Sequence, residues 1–115
     1  MQKLFICGPF RASTKKQIKA NIKVAEGAAL SFWKKGYNVY CPHLNSGAFH
    51  GLVDDKQFLE AALQELTTSD IVVFLPGWRQ SEGSVQEYLM ARSLRKMLWA
   101  IDYAGIISSI SEDLL

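Results

Sequence analysis

Proline and cysteine are scarce in this chain of 115 residues, long apolar runs are missing, and each shortage removes a class of protein. The two cysteines, Cys7 and Cys41, stand singly inside apolar segments, with no CxxC and no Cys/His spacing, which excludes a disulfide framework and a zinc site. They read as buried thiols of a protein kept in a reducing compartment. The longest apolar run, Ile71 to Pro76, falls far short of a membrane span, and the apolar part of the first residues is too short for a secretory signal. A soluble, cytoplasmic protein with no membrane partner is therefore expected. Neither sign of charge dominates: 13 Lys and Arg face 11 Asp and Glu, a formal +2 that is too small to hold a nucleic acid polymer by its phosphates. His43 and His50 are not at metal-ligand spacing, so no metal and no other cofactor is expected. Repeats and low-complexity segments are absent as well.

What remains is a chain that is 49% apolar, long enough to bury a core as one domain over residues 1–115. Its apolar residues alternate between two periods. Leu4 to Cys7 is a continuous apolar run stopped by Gly8-Pro9, the pattern of a strand covered on both faces. From Thr14 onward Ile18, Ile22, Ala25, Ala29 and Phe32 or Trp33 recur at three- and four-residue steps, one face of an amphipathic helix. Thr14-x-x-Gln17 has the form of a capping box at its start, and Gly36 ends it.

Tyr37 to Cys41 reads as a second strand closed by Pro42, and His43 to Val53 as a long polar loop. Asp54 or Asp55 caps a second helix running to about Thr68, with Phe58, Leu59, Ala62, Leu63 and Leu66 on its buried side. Ile71 to Leu75 is a third strand stopped by Pro76-Gly77; a loop from Trp78 to Gly83 leads into a helix from about Ser84 to Arg95. Met97 to Ile101 makes a fourth strand, and Tyr103 to Leu115 a short last helix. Strand and helix in alternation call for a parallel sheet with right-handed crossovers and helices on both faces. Ligands of such sheets sit outside the carboxyl ends of the strands, which selects three loops: 8–13, 42–53 and 76–83.

The first loop joins a strand to a helix whose free N–H groups favour an anion, and Arg11 could add a bidentate contact to phosphate or carboxylate. Read locally, it is equally a plain turn with a solvated arginine. Neither GxxxxGK[ST] nor GxGxxG is present, which excludes a P-loop and a dinucleotide fingerprint. In the third loop Ser84-x-x-Glu87 is both a capping box and a way of placing a carboxylate in the first turn of a helix at the ligand edge. Glu87 is then either a cap or a nucleophile or general base. Trp78 is either packing or a flat wall for a planar ligand. In the middle loop His43 and Asn45 could hydrogen-bond a ligand and Phe49 could close over it.

Taken together, Cys7-Gly8-Pro9, Pro42-His43-Leu44-Asn45 with Phe49-His50-Gly51, Ser69-Asp70, Leu75-Pro76-Gly77-Trp78 and Ser81-x-Gly83-Ser84-x-x-Glu87 resemble the nucleoside 2-deoxyribosyltransferase-like superfamily. The likeness runs from about Phe5 to Ile101, and the last two motifs at their mutual spacing are its specific part. It implies a flavodoxin-like or Rossmann-like three-layer α/β sandwich with a parallel sheet of four or five strands. It also implies chemistry at the N-glycosidic bond of a (deoxy)nucleoside or its 5′-monophosphate, the small-molecule partner, with Glu87 attacking the anomeric carbon to give a glycosyl-enzyme ester.

By the same resemblance Gly8 and Arg11 would hold the 5′-phosphate, helped by Ser13 and by Ser81 or Ser84 of the Gly83 turn. Trp78, Asn45 and Phe49 would surround base and sugar, and Pro9, Phe10, His43, Asp55 and Gly77 are further candidate substrate-binding residues. A homodimer or larger oligomer, with a twofold contact through the first or third helix, is expected. Two positions depart from the pattern: Ala62 stands where relatives carry an Asp, and Phe5 where they often carry a Tyr. Ala62 leaves open an engineered position, a substitute acid among Asp54, Asp55 and Glu60, or a module that binds nucleotides without turning them over.

Overall fold

The computed structural model describes residues 1–110. Its strands are β1 (Lys3–Cys7), β2 (Asn38–Tyr40), β3 (Ile71–Phe74), β4 (Met97–Ile101) and β5 (Ile107–Ser109), and its helices α1 (Lys15–Lys34), α2 (Pro42–Ser46), α3 (Asp55–Thr67) and α4 (Glu82–Ser93). The sheet has the order β2-β1-β3-β4-β5. β1 to β4 are mutually parallel, and β5 runs antiparallel to β4, pairing Ile101 with Ile107.

Strand alternation makes three layers. Leu4, Ile6, Ile71 and Val73 point to one face and pack with Ala25, Ala29 and Phe32 of α1. Their neighbours Phe5, Cys7, Val72 and Phe74 point to the other and pack with Ala62 and Leu66 of α3 and Tyr88 and Ala91 of α4. Both faces of β1 and β3 are thus apolar, as a central parallel strand requires. The α/β three-layer sandwich of flavodoxin-like type is what the sequence predicts; of the four or five parallel strands expected, four are parallel and the fifth, β5, is antiparallel because the turn after β4 folds it straight back along its neighbour.

Three local expectations are corrected. Residues 42–49 are helical: Pro42 takes the first position of α2, where its fixed φ and missing N–H cost nothing, and a 3-10 turn at Gly47–Phe49 follows. Helix α4 starts at Glu82, two residues before the expected Ser84, because Ser81 is the N-cap and its Oγ accepts from the Ser84 N–H at 3.3 Å. The region after Tyr103 turns back as β5 instead of forming a helix; Asp102 Oδ1 accepts from the N–H groups of Ala104 and Ile106 at 2.9 Å each, and Gly105 takes a φ of +83°. The rest of that expected helix, residues 111–115, lies outside the described residues.

The other boundaries agree closely. Thr14 Oγ1 accepts from Gln17 N–H at 3.1 Å, capping α1, while the Gln17 side chain donates to Asn21 Oδ1 instead of completing the box; of the two aspartates it is Asp54 that caps α3, its Oδ1 accepting from Lys56 N–H at 3.0 Å. On α1 it is Phe32 that is buried, while Trp33 is half exposed. Among the described residues no helix is long and apolar enough to cross a membrane.

Candidate functional site

From β1 the chain crosses by α1 to β2 on one side, and from β2 it returns past β1 to β3, so the order reverses between β1 and β3. Crevices form at such points. Here a groove of about 1410 Å³ opens, its walls supplied by the segment after β1, one face of α1, α2, the starts of α3 and α4, the segment after β3 and the turn after β4. Gly8 lets those walls approach: a Cβ there would stand 2.7 Å from the Cβ of Leu75, so the Leu75 side chain packs directly on the Gly8 backbone.

Gly8, Pro9, Phe10, Arg11, His43, Asp55, Gly77, Ser81, Gly83, Ser84 and Glu87 all line this groove. Four residues singled out from the sequence do not. Ser13 is exposed on the approach to α1. Asn45 donates from Nδ2 to the Tyr40 hydroxyl at 3.2 Å, away from the groove. Phe49 is 53% exposed. Trp78 is 8% exposed, its ring 4.7 Å from Phe74 and 4.9 Å from Tyr88, because Gly77 at φ +83° turns it back into the core. Its only cationic neighbour among the described residues is Arg79, 5.2 Å from the ring.

Glu87 is the exceptional carboxylate. It lies in the second turn of α4, beyond reach of an N-terminal cap, so the capping-box reading of Ser84-x-x-Glu87 does not describe it. Only 7% of it is exposed, and among the described residues no cation pairs with it. Burial disfavours the charged form and raises its pKa from 4.5 to about 7; the neighbouring Cys7 thiol, hydrogen-bonding the carboxylate, pulls the other way. The single thiol proton of Cys7, one strand position before Gly8, is shared with the Ser84 carbonyl, 3.6 Å from the sulfur. Its own pKa is driven well above 9.0, by burial first and by Glu87 second. The sequence shows Cys7 only as a buried thiol; its closeness to Glu87 depends on β1 and α4 meeting, which no local signal carries.

The two histidines brace the first loop. His43 is buried, and its Nε2–H donates to the Pro9 carbonyl at 2.8 Å, which leaves Nδ1 to face the Cys41 thiol at 4.0 Å. Burial lowers its pKa, so the neutral ring is favoured. Phe10 stands edge-on to both rings, 5.7 Å from His43 and 5.1 Å from His50. With both nitrogens engaged, His43 is a post for the loop and is poorly placed to deliver a proton.

At the mouth, Arg11 Nη2 pairs with Asp55 Oδ2 at 2.9 Å, joining the first loop to the start of α3. Ser81 and Ser84 bond to each other, Ser84 Oγ donating to Ser81 Oγ at 3.0 Å. Ala62 sits where groove and core meet, lining the one and packing with Phe5 and Cys7 in the other. Among the described residues no cluster of His, Cys, Asp and Glu could hold a metal ion.

No curated protein matches this chain. Among solved structures it is similar to a 2-deoxyribosyltransferase from the psychrotolerant bacterium Bacillus psychrosaccharolyticus, a biocatalyst for nucleoside synthesis, with 17% identity and a TM-score of 0.65 over 88% of this chain and 74% of that one. That similarity bears on the fold. In sequence, residues 2–100, from before β1 to within β4, match the family described as a domain of unknown function, DUF4406, and the chain belongs to that family.

Proposed function

We propose that the protein cleaves or transfers at the N-glycosidic bond of a (deoxy)nucleoside 5′-monophosphate or nucleoside, with Glu87 as nucleophile. The observation that carries this reading is the buried, cation-free Glu87 carboxyl on the groove wall, titrating near 7. A carboxyl of that pKa is about half ionised at neutral pH, and its carboxylate form is more basic than a solvated one, which suits a nucleophile. Its oxygen attacks the anomeric carbon as the bond to the base breaks; the base leaves with the electron pair and gains a proton. Water then hydrolyses the sugar ester, or a second base captures it. Arg11 and the N-terminal turn of α4 supply the cation and N–H groups that a 5′-phosphate needs. The sharing of a fold with a 2-deoxyribosyltransferase is in keeping with this class of chemistry.

A second reading, a module that binds nucleotides without turnover, is favoured by the apolar setting of Glu87. Phe5 and Ala62 are both buried in the core layer that also holds Cys7, and neither offers a hydroxyl or carboxylate to position a sugar. Release of free base from ribo- and deoxyribonucleoside 5′-monophosphates and their nucleosides, followed by HPLC, separates the two. Release by the wild type that vanishes in Glu87→Gln supports the enzyme. Nucleotide binding with no release, from the wild type or from Ala62→Asp, leaves the binding module.

A further inference from the structure

Arg11 is the cation that the proposed function assigns to the phosphate, yet in the ligand-free chain it already has an anionic partner. The Asp55 carboxylate holds it at 2.9 Å across the mouth of the groove, and both residues line that groove. The guanidinium is 66% exposed and the carboxylate 39%, so the pair is wet and carries little energy; an arriving oxyanion can part it. Asp55 is not needed there for the fold of α3, because the cap is made by Asp54. Nor does it serve the buried charge: among the described residues Glu87 pairs with no cation, and Asp55 lies on a different wall, at the start of α3.

We infer that Asp55 is a specificity-determining residue, a carboxylate that occupies the oxyanion position on Arg11 and so sets the groove's preference between phosphorylated and neutral ligands. The inference rests on the reading of Arg11 as the phosphate-binding residue. A neutral nucleoside enters without disturbing the pair and gains nothing from Arg11. A phosphate must displace the Asp55 carboxylate and then sits beside it, losing part of what Arg11 offers to competition and like-charge repulsion. The groove thereby discriminates less sharply for phosphate than an unpartnered arginine would, and accepts both kinds of ligand within a narrower range of affinity. Lys56, the next residue on α3, also lines the groove and softens the repulsion without touching the pair.

The test is a binding cycle on the full chain, using wild type, Asp55→Asn, Arg11→Gln and the double variant, titrated by NMR with inorganic phosphate, thymidine 5′-monophosphate and thymidine. Removing a competing carboxylate at an exposed site is worth about threefold to fivefold in affinity. Asp55→Asn should therefore tighten phosphate and the monophosphate by that factor and leave thymidine within about twofold; in the Arg11→Gln background the same change should do almost nothing. Asp55→Glu, which keeps the charge, should not tighten phosphate, and a native-like amide spectrum of each variant controls for folding. Equal phosphate affinity in wild type and Asp55→Asn overturns the inference, as does an equal gain for thymidine. If phosphate tightens as expected but no base is released from any nucleotide, the inference stands and the glycosidic reading falls.

Discussion

Replacing Glu87 by Gln should stabilise the protein, and the gain should depend on pH in a way that burial alone dictates. In the folded chain Glu87 titrates at about 7, against an ordinary value of 4.5. Between those values the unfolded chain has released a proton that the folded chain retains, so stability falls as pH rises through this window and levels off above 7. At about 1.36 kcal/mol per pH unit, the wild type loses about 3 kcal/mol across the window. The neutral amide of Gln does not titrate and escapes that loss. For a domain of this size the melting temperature of Glu87→Gln should thus move about 10 °C further above that of the wild type between pH 4.5 and pH 8. His43 contributes a slope of opposite sign, since its pKa is lowered by burial and its protonation in the unfolded chain costs stability as pH falls below its ordinary 6.5. That contribution is common to both proteins and cancels in the difference. Thermal melts at five or six pH values across the range make the measurement. A difference that stays flat with pH would refute the reasoning, because the carboxyl would then ionise alike in folded and unfolded chains.

Three further outcomes are expected. Cys7→Ala removes a hydrogen bond that favours the charged form of Glu87, so the alkaline-rising limb of base release should shift to higher pH, read from the pH dependence of the rate. Gly8→Ala places a Cβ 2.7 Å from the Leu75 Cβ and should cost about 1–3 kcal/mol, measured by urea unfolding, whereas Gly27→Ala, with nothing within 4 Å, should be neutral or mildly stabilising. Cys7 and Cys41 are buried, with the Cys7 thiol held well above 9.0 and the Cys41 thiol at about 11, so iodoacetamide at pH 8 should leave both untouched in the folded chain and modify both in urea, counted by mass spectrometry.

Where the sequence was legible, the physical constraints on a segment agreed. The strands at Leu4–Cys7 and Ile71–Leu75 are readable because strands covered on both faces must be apolar throughout, Met97–Ile101 because it is a short apolar run although Met97 is exposed, and α1 because Thr14 and the three-to-four spacing act together. It failed where two constraints compete for one residue. Pro42 ends a strand and starts a helix with the same fixed φ, and only the second use reveals α2. Ser81 and Ser84 are both competent N-caps, and the first one wins, which carries Glu87 into the second turn. β5, three residues long and exposed throughout, has no apolar pattern and exists only through pairing with β4.

The groove shows the same division. Gly8, Arg11 and Glu87 are marked by their loops and helix starts, and all three line it. Trp78 is marked just as clearly and goes to the core, because the φ of +83° at Gly77, not the residue type, decides which way it points. The pairing of Arg11 with Asp55, and of Cys7 with Glu87, joins residues far apart in the chain; periodicity and spacing are blind to both.

The strand order has a consequence for the making of the protein. β1 is synthesised first but lies in the interior of the sheet, and the neighbour that closes its second edge, β3, arrives late: the Lys3 N–H bonded to Asp70 Oδ2 spans 67 residues. Until then a growing chain has β2 on one edge only, and Leu4 to Cys7, fully buried in the finished molecule, have no complete cover. The groove cannot exist at that stage, since one wall follows the first strand and the other opens α4. Ligand can therefore assist only the final docking of the C-terminal half, and the earlier interval is the one in which this chain most needs protection from aggregation.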